Sequence, residues 1–462
     1  MDELFAVARK KTSGSWSGIN PITMQIYATL FCALVALVLL VDCINASVIP
    51  LDTRAMLVTR KASTSTQNSI WLQSLHDPVG AAKRVLKIKG VGNPDAKPWF
   101  KGNLVSPHDQ NSKQVPWASD VSFDQPSIPD STETGFKSVP GTTGNLKLSK
   151  DFGLKDRDGN SAKNYYYVNK NYDSNKIKRA VVVWPGYWRE SWLYGNYVSN
   201  AFKIAKEKLG VSGDEVLIVA PLFLNQHDKD AGGVDDNQIY FKDSGWEVAG
   251  ISRGPDDFTM SSFKMVDQFV DYLLDKSNFP NMEKVVLTGH SMGAQANLRY
   301  AILTKRSTDD PLGFLVANPA SFLYVSRDRS ESTDDCGNYD EWPNGIGGAA
   351  TVPAYGRNRV KHHKQELVDN FRSRDVMFAF GLNDNGGSTG NCAKNTQGAT
   401  RLERAANYVK SLSNMDGGFP SNFKAVFLSR ISHQDYPTLA HPVSLKYMFG
   451  GSIPHSMLDK VQ

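Results

Sequence analysis

Motifs for bound metals and dinucleotides are missing from this sequence. No His-Glu-x-x-His, no paired Cys-x-x-Cys and no Gly-x-Gly-x-x-Gly occurs in its 462 residues. Neither a zinc site of those kinds nor a Rossmann dinucleotide cradle is written into it. Net charge is small as well: 52 basic against 47 acidic side chains give a formal +5. No arginine-rich stripe stands out, which argues against nucleic acid as a partner. Cysteine is scarce, at 4 residues, and no internal repeat is present. Charge itself is absent from one stretch, Thr12 to Val41.

Within that uncharged stretch, Ile26 to Val41 is nearly all apolar. Counted from Ile22, the run reaches about the 20 residues needed to cross a bilayer as a helix. Arg9, Lys10 and Lys11 precede it, which favours a cytoplasmic N-terminus. Because the run is apolar on every face, a buried helix of a soluble protein is not expected here. Two readings stay open. The length of the run and its polar lead favour an uncleaved signal-anchor over 22–41, with a cytoplasmic tail over 1–21. A signal peptide cleaved at Ile44-Asn45-Ala46 is the alternative and would release a secreted protein. Either way the remainder is expected in a lumenal or extracellular space, with the membrane a partner through this segment. Asn45-Ala46-Ser47 is the single glycosylation sequon, too close to the apolar run to be a dependable glycan site.

From 42 to 145 the chain changes character. Apolar residues are sparse and unperiodic, and Ser, Asp, Lys and Pro dominate Pro107 to Gly144. Ile70 to Ile88 suits one amphipathic helix, and the rest suits a stalk or wrapping segment outside the core.

Chemistry gathers in the last two thirds. Gly289-His290-Ser291-Met292-Gly293 follows the apolar run Val285-Val286-Leu287 and opens a helix-compatible stretch, Ala294 to Leu303. Gly-x-Ser-x-Gly between strand and helix is the setting of a nucleophile elbow, which makes Ser291 the candidate nucleophile. Such a serine needs an acid and then a base further along the chain. Asp384 sits in the loop after the strand-like run Val376–Gly381, and His433 follows the strand-like run Ala425–Ser429. In an open α/β sheet, ligand sites lie beyond the carboxyl ends of the strands. Three strand ends thus supply Ser, Asp and His in order. His441 and His455 follow no such run, and His290 should point away from the Ser291 hydroxyl. Backbone N–H groups for an oxyanion are expected from Met292 and from Tyr187, in the Pro185-Gly186-Tyr187-Trp188 turn after the strand Ala180–Trp184.

Taken together, these features resemble the α/β-hydrolase superfamily. The resemblance covers roughly Lys178 to Gly450. More narrowly, the chain is similar to a fungal group of serine-hydrolase-like proteins of unassigned substrate. It shares with them Val219-Ala220-Pro221, Phe279-Pro280-Asn281-Met282, Gly289 to Gln295, Val316-Ala317-Asn318-Pro319 and Arg401-Leu402-Glu403-Arg404. The resemblance implies a mostly parallel sheet covered by helices on both faces, over 146–462, with a short irregular lid between Asn318 and Asp375. Strands alternating with helices agree with it: Val216–Ala220, Phe314–Val316 and the amphipathic Phe263–Leu274 fall in sequence, and Leu146–Leu148 and Tyr165–Val168 suggest early strands open to antiparallel pairing. It also implies serine-esterase chemistry on a small-molecule or lipid-like ester, with no metal or organic cofactor. A peptidase, thioesterase, acyltransferase or non-catalytic binding protein would use the same residues and the same fold. An oxidising compartment, with the subgroup resemblance, suggests that Cys336 and Cys392 pair.

Overall fold

A computed structural model of the chain describes residues 64–88, 111–387 and 391–461. The apolar run at 22–41 lies outside the described residues. Among the described residues no helix is long and apolar enough to cross a membrane.

Two helices lead, α1 (Thr64–Ser74) and α2 (Pro78–Lys87). The sequence reading expected one helix here. Pro78 has no N–H to continue the first, and Asp77 instead caps the second by accepting from the Gly80 N–H at 2.8 Å. Then come β1 (Thr142–Thr143), β2 (Leu146–Lys155), β3 (Ser161–Asn169), β4 (Arg179–Trp184), α3 (Ser191–Leu209) and β5 (Val216–Pro221). A short helix α4 (Gln226–Ala231), a two-stranded ribbon β6 (Tyr240–Phe241) with β7 (Ser252–Gly254), and α5 (Ser262–Leu274) follow. The second half runs β8 (Lys284–His290), α6 (Met292–Leu303), β9 (Leu312–Ala317), α7 (Ala354–His362), α8 (Lys364–Ser373) and β10 (Asp375–Gly381). It closes with α9 (Cys392–Asn395), α10 (Arg401–Asn414), β11 (Phe423–Leu428), α11 (Asp435–Leu439), α12 (Pro442–Phe449) and α13 (His455–Asp459).

The main sheet has the order β1-β2-β3-β5-β4-β8-β9-β10-β11. From β5 to β11 every neighbour is parallel; β1, β2 and β3 are antiparallel additions at one edge. Continuous apolar runs such as Ala180–Trp184 form parallel strands because both faces are covered. Alternation along each strand divides the core in two. Ala180, Val182 and Trp184 join the face packed by α2, α5, α6 and α10, whereas Val181 and Val183 join the face packed by α3, α11 and α12.

The segment expected outside the core is part of it. Ile70 and Trp71, adjacent on α1, enter opposite core faces, so the helix straddles the β11 edge of the sheet. Ser74 Oγ accepts from the Phe427 N–H at 3.1 Å, closing an edge position that would otherwise invite another strand. Val115, Trp117 and Ala118 are buried under the second face, and Trp117 Nε1 donates to the Ala440 carbonyl at 2.8 Å. A few large side chains anchor a stretch whose average composition is polar.

Between β9 and α7 the chain is irregular, as expected for the insertion, and is organised by a charge rather than a helix. The buried Arg329 guanidinium lies over the Tyr324 ring at 4.1 Å and donates to Asp340 and to the Ser326, Tyr339 and Asn344 carbonyls. Cys336 of this excursion is bonded to Cys392, the first residue of α9, with Cα atoms 5.7 Å apart.

Candidate active site

Ser291 occupies the turn between β8 and α6 with φ 56° and ψ −117°. A serine rarely adopts that region, and the surroundings hold it there. Its N–H donates to the Ala317 carbonyl at 3.0 Å, tying the turn to the end of β9. A Cβ on Gly289 would stand 2.5 Å from the Gly293 backbone, and one on Gly293 would stand 2.4 Å from the Pro185 carbonyl oxygen. Only glycine lets strand, helix and the β4 loop converge so closely. A strained serine at this turn, on a sheet of this strand order, decides the architecture. The chain has the α/β-hydrolase fold.

His433 reaches Ser291 from the loop after β11. Its Nε2 lies 2.9 Å from Ser291 Oγ, and its Nδ1 lies 2.7 Å from Asp384 Oδ2. A carboxylate can only accept, so Nδ1 carries the proton and Nε2 is free to accept from the serine hydroxyl. Asp384 is 2% exposed and His433 7% exposed. A Cβ on Gly381 would stand 2.4 Å from the Ile431 carbonyl oxygen, so the glycine ending β10 allows the histidine loop to lie against it.

The candidate oxyanion donors sit on the two segments that meet at Gly293. Met292 is the first residue of α6, and Tyr187 lies in the turn after β4. That turn is held from below. Arg189, at φ 65°, sends Nε and an Nη to the two oxygens of buried Asp228, both at 2.9 Å. Asp228 also accepts the Phe136 and Asn225 N–H groups, at 3.0 and 2.8 Å. Tyr187 and Trp188 stand exposed above it, ring centroids 4.9 Å apart.

Several residues that support this geometry carry no signal of their role in the sequence. Arg401 Nε donates to Asp384 Oδ1 at 2.7 Å, on the oxygen that His433 does not use. Arg401 stands in the shared Arg-Leu-Glu-Arg stretch and follows Thr400, whose capping box with Glu403 marks a helix start, but neither feature points to the acid. Asn318, at φ 45°, accepts the Gly381 N–H at 2.7 Å and donates to the Ser432 carbonyl and Thr438, pinning the histidine loop from beneath. His290 is buried behind His433, with ring centroids 4.7 Å apart, and burial holds it neutral, far below the usual histidine range. His441 lies buried edge-on to Trp117. Glu190, just before α3, is pushed up to about 7 by burial and by the nearby Asp435. Among the described residues no group of three His, Cys, Asp or Glu is placed to hold a metal ion.

No family model and no curated protein matches the chain, so the fungal subgroup remains a resemblance. Solved structures do align with it. The LpqC poly(3-hydroxybutyrate) depolymerase of Bordetella parapertussis is 16% identical over 69% of this chain and 94% of its own, with a TM-score of 0.45. Poly(aspartic acid) hydrolase-1 of Sphingomonas sp. KT-1 is 16% identical over 65% of this chain and 98% of its own, at 0.42. The siderophore hydrolase EstB of Aspergillus nidulans is 14% identical over 69% and 98%, at 0.34. Likeness at this level adds nothing to what the strand order and the elbow establish.

Proposed function

We propose that this α/β-hydrolase is a serine hydrolase that cleaves carboxylic esters through an acyl-enzyme. The observation that carries the reading is the unbroken hydrogen-bonded line from Ser291 through His433 to Asp384, at 2.9 and 2.7 Å. As Ser291 Oγ attacks the ester carbonyl, His433 Nε2 takes its proton. Asp384 keeps the Nδ1 proton in place and stabilises the imidazolium. The Met292 and Tyr187 N–H groups receive the charge that develops on the carbonyl oxygen. His433 then passes its proton to the departing alcohol. In the second half it takes a proton from water, which attacks the acyl-enzyme, and returns it to Ser291 as the acid leaves.

The disulfide supports a lumenal or extracellular location, since thiols in the cytosol are kept reduced. With the apolar run at 22–41, it favours a membrane-anchored ectodomain. Recovery of a soluble form beginning near Ser47 would replace the anchor with a cleaved signal peptide. The catalytic reading is tested by labelling with a fluorophosphonate probe and by hydrolysis of a p-nitrophenyl ester series. Wild type should label and turn over, and Ser291→Ala should do neither while unfolding at the same temperature. Equal labelling of both proteins would refute it.

A further inference from the structure

Asp384 has two oxygens and two strong partners, one on each. His433 Nδ1 takes Oδ2 and Arg401 Nε takes Oδ1, both at 2.7 Å. The carboxylate is therefore fixed in plane and shared between a base and a permanent cation. Arg401 is itself anchored. It is the first residue of α10, and the first turn of that helix grips the acid loop through backbone bonds: Arg401 N–H donates to the Gly386 carbonyl at 2.9 Å and Leu402 N–H to the Asp384 carbonyl at 3.0 Å. Gly386 lies flat against the guanidinium, since a Cβ there would stand 2.4 Å from an Arg401 Nη. The Arg401 side chain is 17% exposed and that of Asp384 3%, so water screens this pair weakly.

We infer that Arg401 is a positioning residue for the acid–base pair: it fixes the Asp384 carboxylate toward His433 and offsets part of its charge, which extends activity to lower pH. This rests on the proposed triad. The sign follows from electrostatics. A carboxylate beside an imidazole favours the protonated ring, and a protonated ring cannot accept the Ser291 proton. A guanidinium on the far oxygen weakens that pull, so the base remains available further into acid. The other groups facing His433 are Asp435 and the buried neutral His290, with Glu190 beyond Asp435. Glu403 and Arg404 flank Arg401 on its own helix. Replacing Arg401 alone leaves these groups in place, and His290, which also feels the Arg401 charge, stays neutral chiefly through burial.

The experiment measures kcat and kcat/KM for p-nitrophenyl acetate from pH 4.5 to 9 in wild type, Arg401→Gln and Arg401→Lys. In Arg401→Gln the acidic limb of kcat/KM should move up by about half a pH unit or more, and kcat should fall about tenfold. In Arg401→Lys, which keeps the charge but not the planar guanidinium, the limb should stay at the wild-type position while kcat falls several-fold. A folded Arg401→Gln with the wild-type limb overturns the inference. If that variant does not fold, Arg401→Lys decides: wild-type kcat, or a limb displaced upward, overturns it. Turnover that survives in Ser291→Ala would instead defeat the triad reading itself.

Discussion

Gln67 bridges the loops that carry Asp384 and His433. Its Nε2 donates to Asn383 Oδ1 at 2.5 Å, and its Oε1 accepts from the Arg430 N–H at 2.7 Å. Asn383 precedes Asp384, and Arg430 lies in the loop that carries His433. Gln67→Ala removes both bonds and leaves buried polar groups without that partner, at a cost of about 1–3 kcal/mol. Denaturant unfolding should register the loss, and ester turnover should fall with it. Unchanged stability and turnover would show the bridge to be incidental.

For Asp384 and His433, the proposed acid and base, replacement should reach the chemistry without reaching the fold. Asp384→Asn keeps the shape of the side chain but no longer favours the Nδ1–H tautomer, and kcat should drop by about 10⁴. His433→Ala should fall as far, because triad members act as a unit. A double variant with the two losses multiplied together would mean that the residues act separately.

The disulfide joins the irregular excursion to the loop between β10 and α10. Reducing it, or replacing Cys392 with Ser, should cost about 2–4 kcal/mol of stability. Activity should fall as well, because the freed loop leads directly into Thr400 and the helix end that grips the acid. Comparing the single Ser variants with the double Ser variant separates loss of the link from the effect of a free thiol. Full activity in all three would confine the disulfide to stability.

Beneath the Tyr187 turn, Asp228→Asn would leave the buried Arg189 without its counter-charge. Breaking a buried pair from one side costs about 3–5 kcal/mol. If the turn offers the proposed oxyanion donor, kcat should fall more than KM rises. A variant that loses stability but keeps kcat would take the turn out of catalysis.

Acid should destabilise the protein partly through His441, pushed down to about 3 by burial. Its folded-state value lies below its unfolded one, so its contribution is present above about pH 6.5 and is lost as pH falls toward the folded value. His290 works in the same sense. Glu190, raised to about 7, works against them between about pH 4.5 and 7, where the folded protein holds its proton more tightly than the unfolded chain. His441→Asn keeps a capping side chain at the start of α12 but removes the titration. Its stability should decline between pH 6 and 4 less steeply than wild type, by up to about 1.4 kcal/mol per pH unit. Parallel declines would remove His441 from the account.

Where one short segment determined the outcome, the sequence was enough. Val181–Val183, Val285–Leu287 and Val376–Phe380 are apolar without interruption, and each became a buried parallel strand. Ser291, Asp384 and His433, of which the first two lie within hydrogen-bond reach of the third, each stand just beyond such a run. Trp71 and Trp117 are isolated aromatics in polar surroundings, and their burial depends on surfaces more than 300 residues away, beside β11 and α12. Gln67 and Arg401 meet their partners only after the chain has folded back, so nothing in their neighbourhoods marks them. The proposed membrane segment lies outside the described residues.

The helix that closes the sheet edge is made long before the strand it covers. Ser74 and Phe427, which bond across that edge, are 353 residues apart. At about 5–20 residues per second, a ribosome takes roughly 20–70 s to travel between them. Through that interval Ile70 and Trp71 have no β11 to shelter against. The nascent chain carries these two large apolar side chains uncovered by their edge strand until that strand emerges, and they are the ones a holding chaperone would have longest to grasp.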